Sequence, residues 1–259
     1  MLDQIIQSCS YLLEHYPNAK HVKNYLDHRL SESSQLPWGF GYFPPSREMS
    51  SLLDLVSQDT LLQSKLLRIN TMEDAQGPSH DVWNYFEDYP LVMPYRNFYG
   101  HVVALVGRSL LSEAELKVKK IPKYKNTIET PDFKKGNLLF GLYENKRAIL
   151  EKGCVYVVEG QFDVIKAGQI GFDNVIALGT SNMTLWQYSA ILRYTDNIIL
   201  LLDNDEAGYR GRERIIGKYG QFANIRNFYV PEEFKDIDQY ITEANISDMT
   251  EMTFVAERC

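Results

Sequence analysis

From about Asn137 onward, four short strand-like runs recur along the chain, the first three almost wholly apolar: Cys154–Val158, Asn174–Leu178, Asn197–Leu202 and Ala223–Val230. Helical stretches fall between them, over roughly 161–169, 184–193 and 206–218. Runs that are apolar throughout, without alternation, suit parallel strands covered by helices on both faces. Strand–helix alternation of this kind builds βαβ units. The second half of the chain is therefore expected to be α/β, with a roughly four-stranded parallel sheet flanked by helices.

In an open parallel sheet the carboxyl ends of the strands share one rim, and ligands bind in the crevice there. The acidic residues of this sequence cluster at those ends. The first run leads into Glu159 and Asp163, the third into Asp203 and Asp205, and the fourth is followed by Lys235, Asp236 and Asp238. Taken singly, each has a plain reading. Asp203 and Asp205 could cap a helix, Glu159 could be a solvated turn residue, and Asp236 and Asp238 could open a C-terminal helix. Taken together, six carboxylates would converge, and their mutual repulsion would drive them to protonate unless counter-charge is present. Hard divalent cations with oxygen ligands, Mg²⁺ above all, resolve that cost. The Asp-x-Asp spacing also places Asp203 and Asp205 on one face of an extended segment.

The first half has another character. Apolar residues at helical spacing run through 1–30 and break near Pro17, and a second helical stretch is expected over 48–67. Leu91–Arg96 and His101–Val106 read as two strands around a turn. Lys117–Gly136 carries proline and charge with little periodicity, and reads as a long irregular loop.

Net charge is −7, the wrong sign for a generic polyanion binder, but Lys117–Arg147 holds nine Lys and Arg against three acids. A local phosphate track on an acidic chain is the reading. The cysteines, Cys9, Cys154 and Cys259, are sparse and far apart, so neither a disulfide framework nor a zinc module is expected. No run approaches the roughly 18 apolar residues of a membrane span, and the start lacks a basic secretion signal. A cytoplasmic location without membrane partners is expected.

Four segments then match a family pattern: Glu159-Gly160-x-x-Asp163, Ala177-Leu178-Gly179-Thr180-Ser181, Asp203-x-Asp205-x-Ala207-Gly208 and Asp236-x-Asp238. In order and spacing they resemble the Toprim motifs, over about 150–245. That likeness implies a sheet bearing Mg²⁺ or Mn²⁺ and leaves primase, topoisomerase and nuclease open. Upstream, Pro122-Lys123-Tyr124-x-Asn126-x-x-Glu129-Thr130-x-x-Phe133-x-Lys135-Gly136 and Leu139–Tyr143 resemble the bacterial-type DNA primase core. Pro94-x-Arg96, Gly107-Arg108, Tyr25-Leu26-x-x-Arg29 and Gly39–Gly41 do so too.

The resemblance implies template-directed RNA primer synthesis. Glu159, Asp203 and Asp205 would be catalytic, and Asp163, Asp236 and Asp238 would join them as metal ligands. Arg108, Lys123, Tyr124, Asn126, Lys135 and Arg29 would hold nucleotide and template. Single-stranded DNA, ribonucleoside triphosphates, and a replicative helicase or a separate zinc-binding subunit are the implied partners. The expected organisation is an α+β primase N-terminal subdomain over 1–148, a Toprim domain over 149–245, and a C-terminal tail or short helix over 246–259. Asn204 stands where the family more often has glycine, which left-handed backbone at Asn would accommodate. A Toprim nuclease and a non-catalytic nucleic-acid-binding subunit are the alternative readings.

Overall fold

Strand pairing decides where the apolar runs stop. The computed structural model describes residues 1–74, 77–131 and 133–256, and their side chains except those of 70–82 and 256. Two compact units are formed, one from Met1–Tyr95 with His101–Asp132, the other from Arg96–Gly100 with Phe133–Cys259.

In the first unit, helix α1 (Leu2–His15) buries Ile5, Ile6, Cys9, Leu12 and Leu13, the single stripe its spacing dictates. Pro17 opens a short 3-10 turn that separates it from α2 (Lys20–Arg29), and α3 (Glu32–Gln35) comes next. Four strands, β1 (Gly41–Tyr42), β4 (Leu91–Arg96), β5 (Val102–Arg108) and β6 (Tyr124–Asn126), form one sheet in the order β1-β4-β5-β6. Pro94 is tolerated inside β4 because β1 pairs only with Leu91 and Val92, so no ladder bond on that side is lost. Between β1 and β4 lie α4 (Ser50–Leu53), α5 (Gln58–Gln63) and a separate hairpin of β2 (Leu67–Asp74) and β3 (Gly77–Asn84).

Two sequence expectations change here. The helix expected over 48–67 is two short helices, because Ser57 caps a new one by accepting the Thr60 N–H and the chain then turns at Lys65 with φ 60°. Leu66 and Leu67 are buried as the hairpin begins. The loop expected over 117–136 contains the end of α6 (Glu113–Lys119) and all of β6. Ser112 and Glu115 form the capping box of α6, while β6 is three residues recruited by pairing with β5.

In the second unit the strands are β7 (Val155–Val158), β8 (Val175–Ala177), β9 (Asn197–Leu200), β10 (Asn224–Tyr229) and β11 (Val255–Ala256). Their order is β11-β10-β9-β7-β8. The first four in sequence are mutually parallel, as expected. The C-terminal segment, expected as a tail or short helix, forms a 3-10 turn over Met249–Glu251 and then adds an antiparallel edge strand to β10. Phe254 anchors it by packing with Tyr156, Phe172 and Phe228.

Helices α7 (Leu142–Lys152), α9 (Leu185–Ile191) and α10 (Glu206–Tyr219) share one core with the sheet, built from Leu142, Ile149, Tyr188, Ile191, Ile215 and Tyr219 against Val155, Val157, Ile198 and Leu200. Helix α8 (Gln161–Gln169) packs with α11 (Ile237–Glu243). The 96–100 segment joins this unit through the Arg96–Glu144 ion pair at 2.7 Å and the Lys146 ammonium donating to the Phe98 carbonyl. Thus 96–100 and 133–148 belong to the same compact unit as the parallel sheet. Among the described residues, no helix is long and apolar enough to cross a membrane.

Candidate functional site

Strand β7 is first in sequence of the four parallel strands, with β8 on one side and β9 on the other. The chain therefore leaves β7 in one direction and returns to its other flank, which makes the β7/β9 rim the switch point where such sheets bind ligands. Glu159 follows β7 directly, Asp203 and Asp205 follow β9, and Asp236 and Asp238 follow β10. Asp163 lies in the first turn of α8.

These acids sense one another. Burial, then the charges of Asp203 and Asp205, pushes Glu159 up to about 7. Burial, followed by Asp236, Asp203 and Asp238, raises Asp163 well above its ordinary value. Asp203 is raised by burial, Asp236 and Asp205, with Lys235 opposing. All six residues thus form one electrostatic cluster centred on Asp203.

Three of them also serve helix ends, as the plain reading of Asp205 and Asp236 would have it and as no reading of Asp163 foresaw. The Asp163 carboxylate accepts from the Gly160 N–H at 2.9 Å, Asp205 from Gly208 at 2.9 Å, and Asp236 from Gln239 at 2.8 Å. Capping uses one oxygen of each carboxylate and fixes the direction of the other. Glu159 Oε1 is buried without a hydrogen-bond partner among the described residues. As they stand, no group of three or more His, Cys, Asp or Glu among the described residues is arranged to hold a metal ion. The acids are neighbours without yet being a coordination sphere.

Two cations at this rim were not singled out from the sequence. The Lys235 ammonium lies 3.2 Å from Asp203 Oδ2 and 3.8 Å from Asp205 Oδ2. Burial disfavours its charge, but Asp203, Asp205 and Asp236 outweigh that and raise its pKa. Arg212, 1% exposed, donates to the carbonyls of Asp203 at 2.9 Å and of Leu202, and lies over the Tyr229 ring at 4.3 Å. The signal for Arg212 was present: it shares a helical stripe with Gly208, Ile215 and Tyr219, so a charge had to be buried.

Asn204 departs from expectation. It is not among the positive-φ residues. Its amide donates instead to the carbonyls of Val230 and Phe234, both at 3.0 Å, and its backbone N–H to Lys235 O at 2.6 Å.

Most of the expected nucleotide and template residues lie in the first unit. Arg108 sits directly across the β5/β6 ladder from Tyr124. Its guanidinium lies 4.9 Å from the Tyr124 ring centroid and 5.3 Å from that of Tyr25, and it donates to the Tyr124 hydroxyl. Arg29 reaches the same Tyr25 through its hydroxyl at 3.2 Å. Arg29, Arg108, Tyr124 and the unpredicted Tyr25 are one cluster, and Arg108 is buried within it, 4% exposed. Lys123 precedes β6, its carbonyl accepting from the Ser109 N–H. Asn126 ends β6 with a buried Oδ1 that has no hydrogen-bond partner among the described residues. Lys135 belongs to the second unit, in a 3-10 turn over Lys135–Asn137.

The basic stripe is thinner than its charge suggests. Lys125 turns to the other face of β6, where its ammonium lies 4.0 Å from the Tyr85 ring centroid and donates to the Tyr85 carbonyl. Lys119 pairs with Asp88, Arg147 with Glu151, and Lys146 lies over the Tyr143 ring.

Comparison with known families decides the lineage of this arrangement. Residues 10–146 match the N-terminal domain of the DNA primase catalytic core. The chain belongs to the DNA primase catalytic core family. Residues 156–241 of this primase-core chain match a Toprim-like domain, a metal-dependent family whose match does not select the ion. The DNA primase of Synechococcus elongatus is 32% identical over 86% of this chain and 32% of its own length. That of Aquifex aeolicus is 29% identical over 91% and 45%. The primase-core chain thus spans about a third to under half of these relatives. Among solved structures, the E. coli primase catalytic core is similar with TM-score 0.74 and 25% identity, over 98% of this chain and 81% of that one. A Pseudomonas aeruginosa DNA primase domain is similar with TM-score 0.73 and 26% identity, over 98% and 78%. The fold is that of primase cores: an α+β N-terminal part and a Toprim sheet.

Proposed function

We propose that this chain is the catalytic core of a DNA primase, making short RNA primers on single-stranded DNA by template-directed, metal-dependent nucleotidyl transfer. The observation that carries the reading is the placing of Glu159, Asp203, Asp205, Asp236 and Asp238 after the ends of neighbouring parallel strands of one sheet, with Asp163 in the first turn of α8. The donor set suits a hard divalent ion, being all oxygen and including the buried, unpartnered Glu159 Oε1. Glu159, Asp203 and Asp205 would hold Mg²⁺ or Mn²⁺, with Asp163, Asp236 and Asp238 around them. An ion held there supplies the positive charge needed by a triphosphate, an attacking 3′-hydroxyl and departing pyrophosphate.

The remaining roles fall to the chain's own groups. Arg29, Lys123 and Lys135 attract phosphates of template and incoming nucleotide, Tyr124 offers a stacking face, and Asn126 an amide. Arg108, held between two rings, positions Tyr124. Single-stranded DNA and ribonucleoside triphosphates are the substrates of this reading. A replicative helicase or a separate zinc-binding subunit is the partner.

Primer synthesis on a mixed-sequence single-stranded template tests the proposal. Glu159→Ala or Asp203→Ala should abolish it, and undiminished synthesis by either variant overturns the assignment. Metal-dependent DNA cleavage without nucleotides would turn the reading to a nuclease. DNA binding without synthesis, even with Mn²⁺, would turn it to a binding subunit.

A further inference from the structure

Lys235 occupies a position that a counter-ion to the paired aspartates would occupy. Its ammonium bridges Asp203 Oδ2 and Asp205 Oδ2, at 3.2 and 3.8 Å. The other oxygen of Asp205 is committed to the first turn of α10, so the one facing Lys235 is the one left for a ligand. The lysine is held there by backbone rather than by chance of its long stem. Asn204 donates through its N–H to the Lys235 carbonyl and through its amide to Val230 and Phe234, which fastens the 230–235 segment onto the 203–205 turn.

The two cations of this rim differ in freedom. Arg212 is buried and bonded to carbonyls beneath the turn, a fixed charge. Lys235 has a side chain 56% exposed and pairs with carboxylates from the solvent side. An ammonium on a flexible stem can leave, whereas a guanidinium locked by several carbonyls cannot.

We propose that Lys235 is a displaceable internal counter-ion: it neutralises Asp203 and Asp205 while no divalent ion is bound, and gives up both carboxylates when one binds. The inference rests on the reading of these acids as a metal site. It accounts for an acidic rim whose members are not yet arranged around an ion. It also leaves a freed ammonium beside the place where triphosphate would arrive.

The experiment uses the full chain and Mn²⁺ alone, without nucleotide or DNA. Lys235→Met keeps the stem and removes the charge, and Lys235→Arg restores a charge. By calorimetry, Lys235→Met should bind Mn²⁺ roughly fivefold more tightly than the parent, as expected for loss of one partly exposed ion pair that competes with the ion. It should also melt lower in EDTA and recover with Mn²⁺, while Lys235→Arg should return both properties toward the parent. Acetylation of Lys235, followed by mass spectrometry, should increase when Mn²⁺ is added. Lys152, which pairs with Asp173, should not change.

Equal or weaker Mn²⁺ binding by Lys235→Met, or unchanged labelling of Lys235 despite binding, overturns the inference and leaves the metal site standing. Failure of both the parent and Lys235→Met to bind Mn²⁺ overturns the metal-site reading and this inference with it.

Discussion

A proton and a divalent cation compete for the same oxygens at Glu159, whose pKa is pushed up to about 7 by burial and by Asp203 and Asp205. Mn²⁺ affinity measured by calorimetry should therefore rise between about pH 6 and about pH 8, with proton release on binding that fades at the upper end. A pH-independent affinity would contradict it. For folding the sign is opposite to that of an ordinary ion-paired acid. Between its ordinary carboxylate value and about 7, folded Glu159 holds more proton than unfolded Glu159, so metal-free stability falls as pH climbs through that window and then levels off. Glu159→Gln should make that slope shallower and raise Tm at about pH 8 by ~2–4 °C, the shift expected of about 1 kcal/mol in a chain of this size. At Tyr124, loss of the ring in Tyr124→Ala should weaken single-strand binding by ~1–3 kcal/mol, with Tyr124→Phe keeping most of it. Fluorescence anisotropy at fixed salt distinguishes the two.

Helix α10 connects sequence to site at the scale of elements. A Cβ on Gly208 would meet the Asp203 carbonyl at 2.1 Å, and one on Gly211 the Ser181 carbonyl at 2.3 Å. The helix can seat against the Asp203 turn and against Ser181 only because these two positions lack side chains. Gly208→Ala should cost ~1–3 kcal/mol of stability by overpacking and weaken Mn²⁺ binding, because Asp205 moves with its helix. Asn204→Gly should lose about 1 kcal/mol for each amide bond to Val230 and Phe234, read as a lowered Tm. Elements with strong periodicity or caps were legible in the sequence. The Toprim strands, α8, α10 and the end of α1 at Pro17 lie where spacing put them. The hairpin of β2 and β3, the division of 48–67 and strand β6 were not. Their conformation is set by a partner strand or a single cap rather than by a repeat within the segment. Asn204 was misread for the same reason, since its role lies in carbonyls far along the chain.

For the whole molecule, charge is the property that function would read first. A net −7 chain whose basic stripe is partly spent on Asp88, Glu151 and aromatic rings can offer only a few cations to nucleic acid. With about three or four phosphates neutralised, single-strand affinity should fall with log salt at a slope of about −2 to −3. A slope near zero would remove the phosphate track from consideration. The amino-acid sequence by itself determined the parallel sheet, the family, and the six acids at three strand ends, because apolar runs and motif order are properties read along the chain. Only the tertiary structure decided that Asp163, Asp205 and Asp236 cap helices, that Arg212 lies buried under the Asp203 turn, and that Lys235 sits on Asp203 and Asp205. Those are relations between groups distant in sequence, and burial and charge act through space rather than along the backbone.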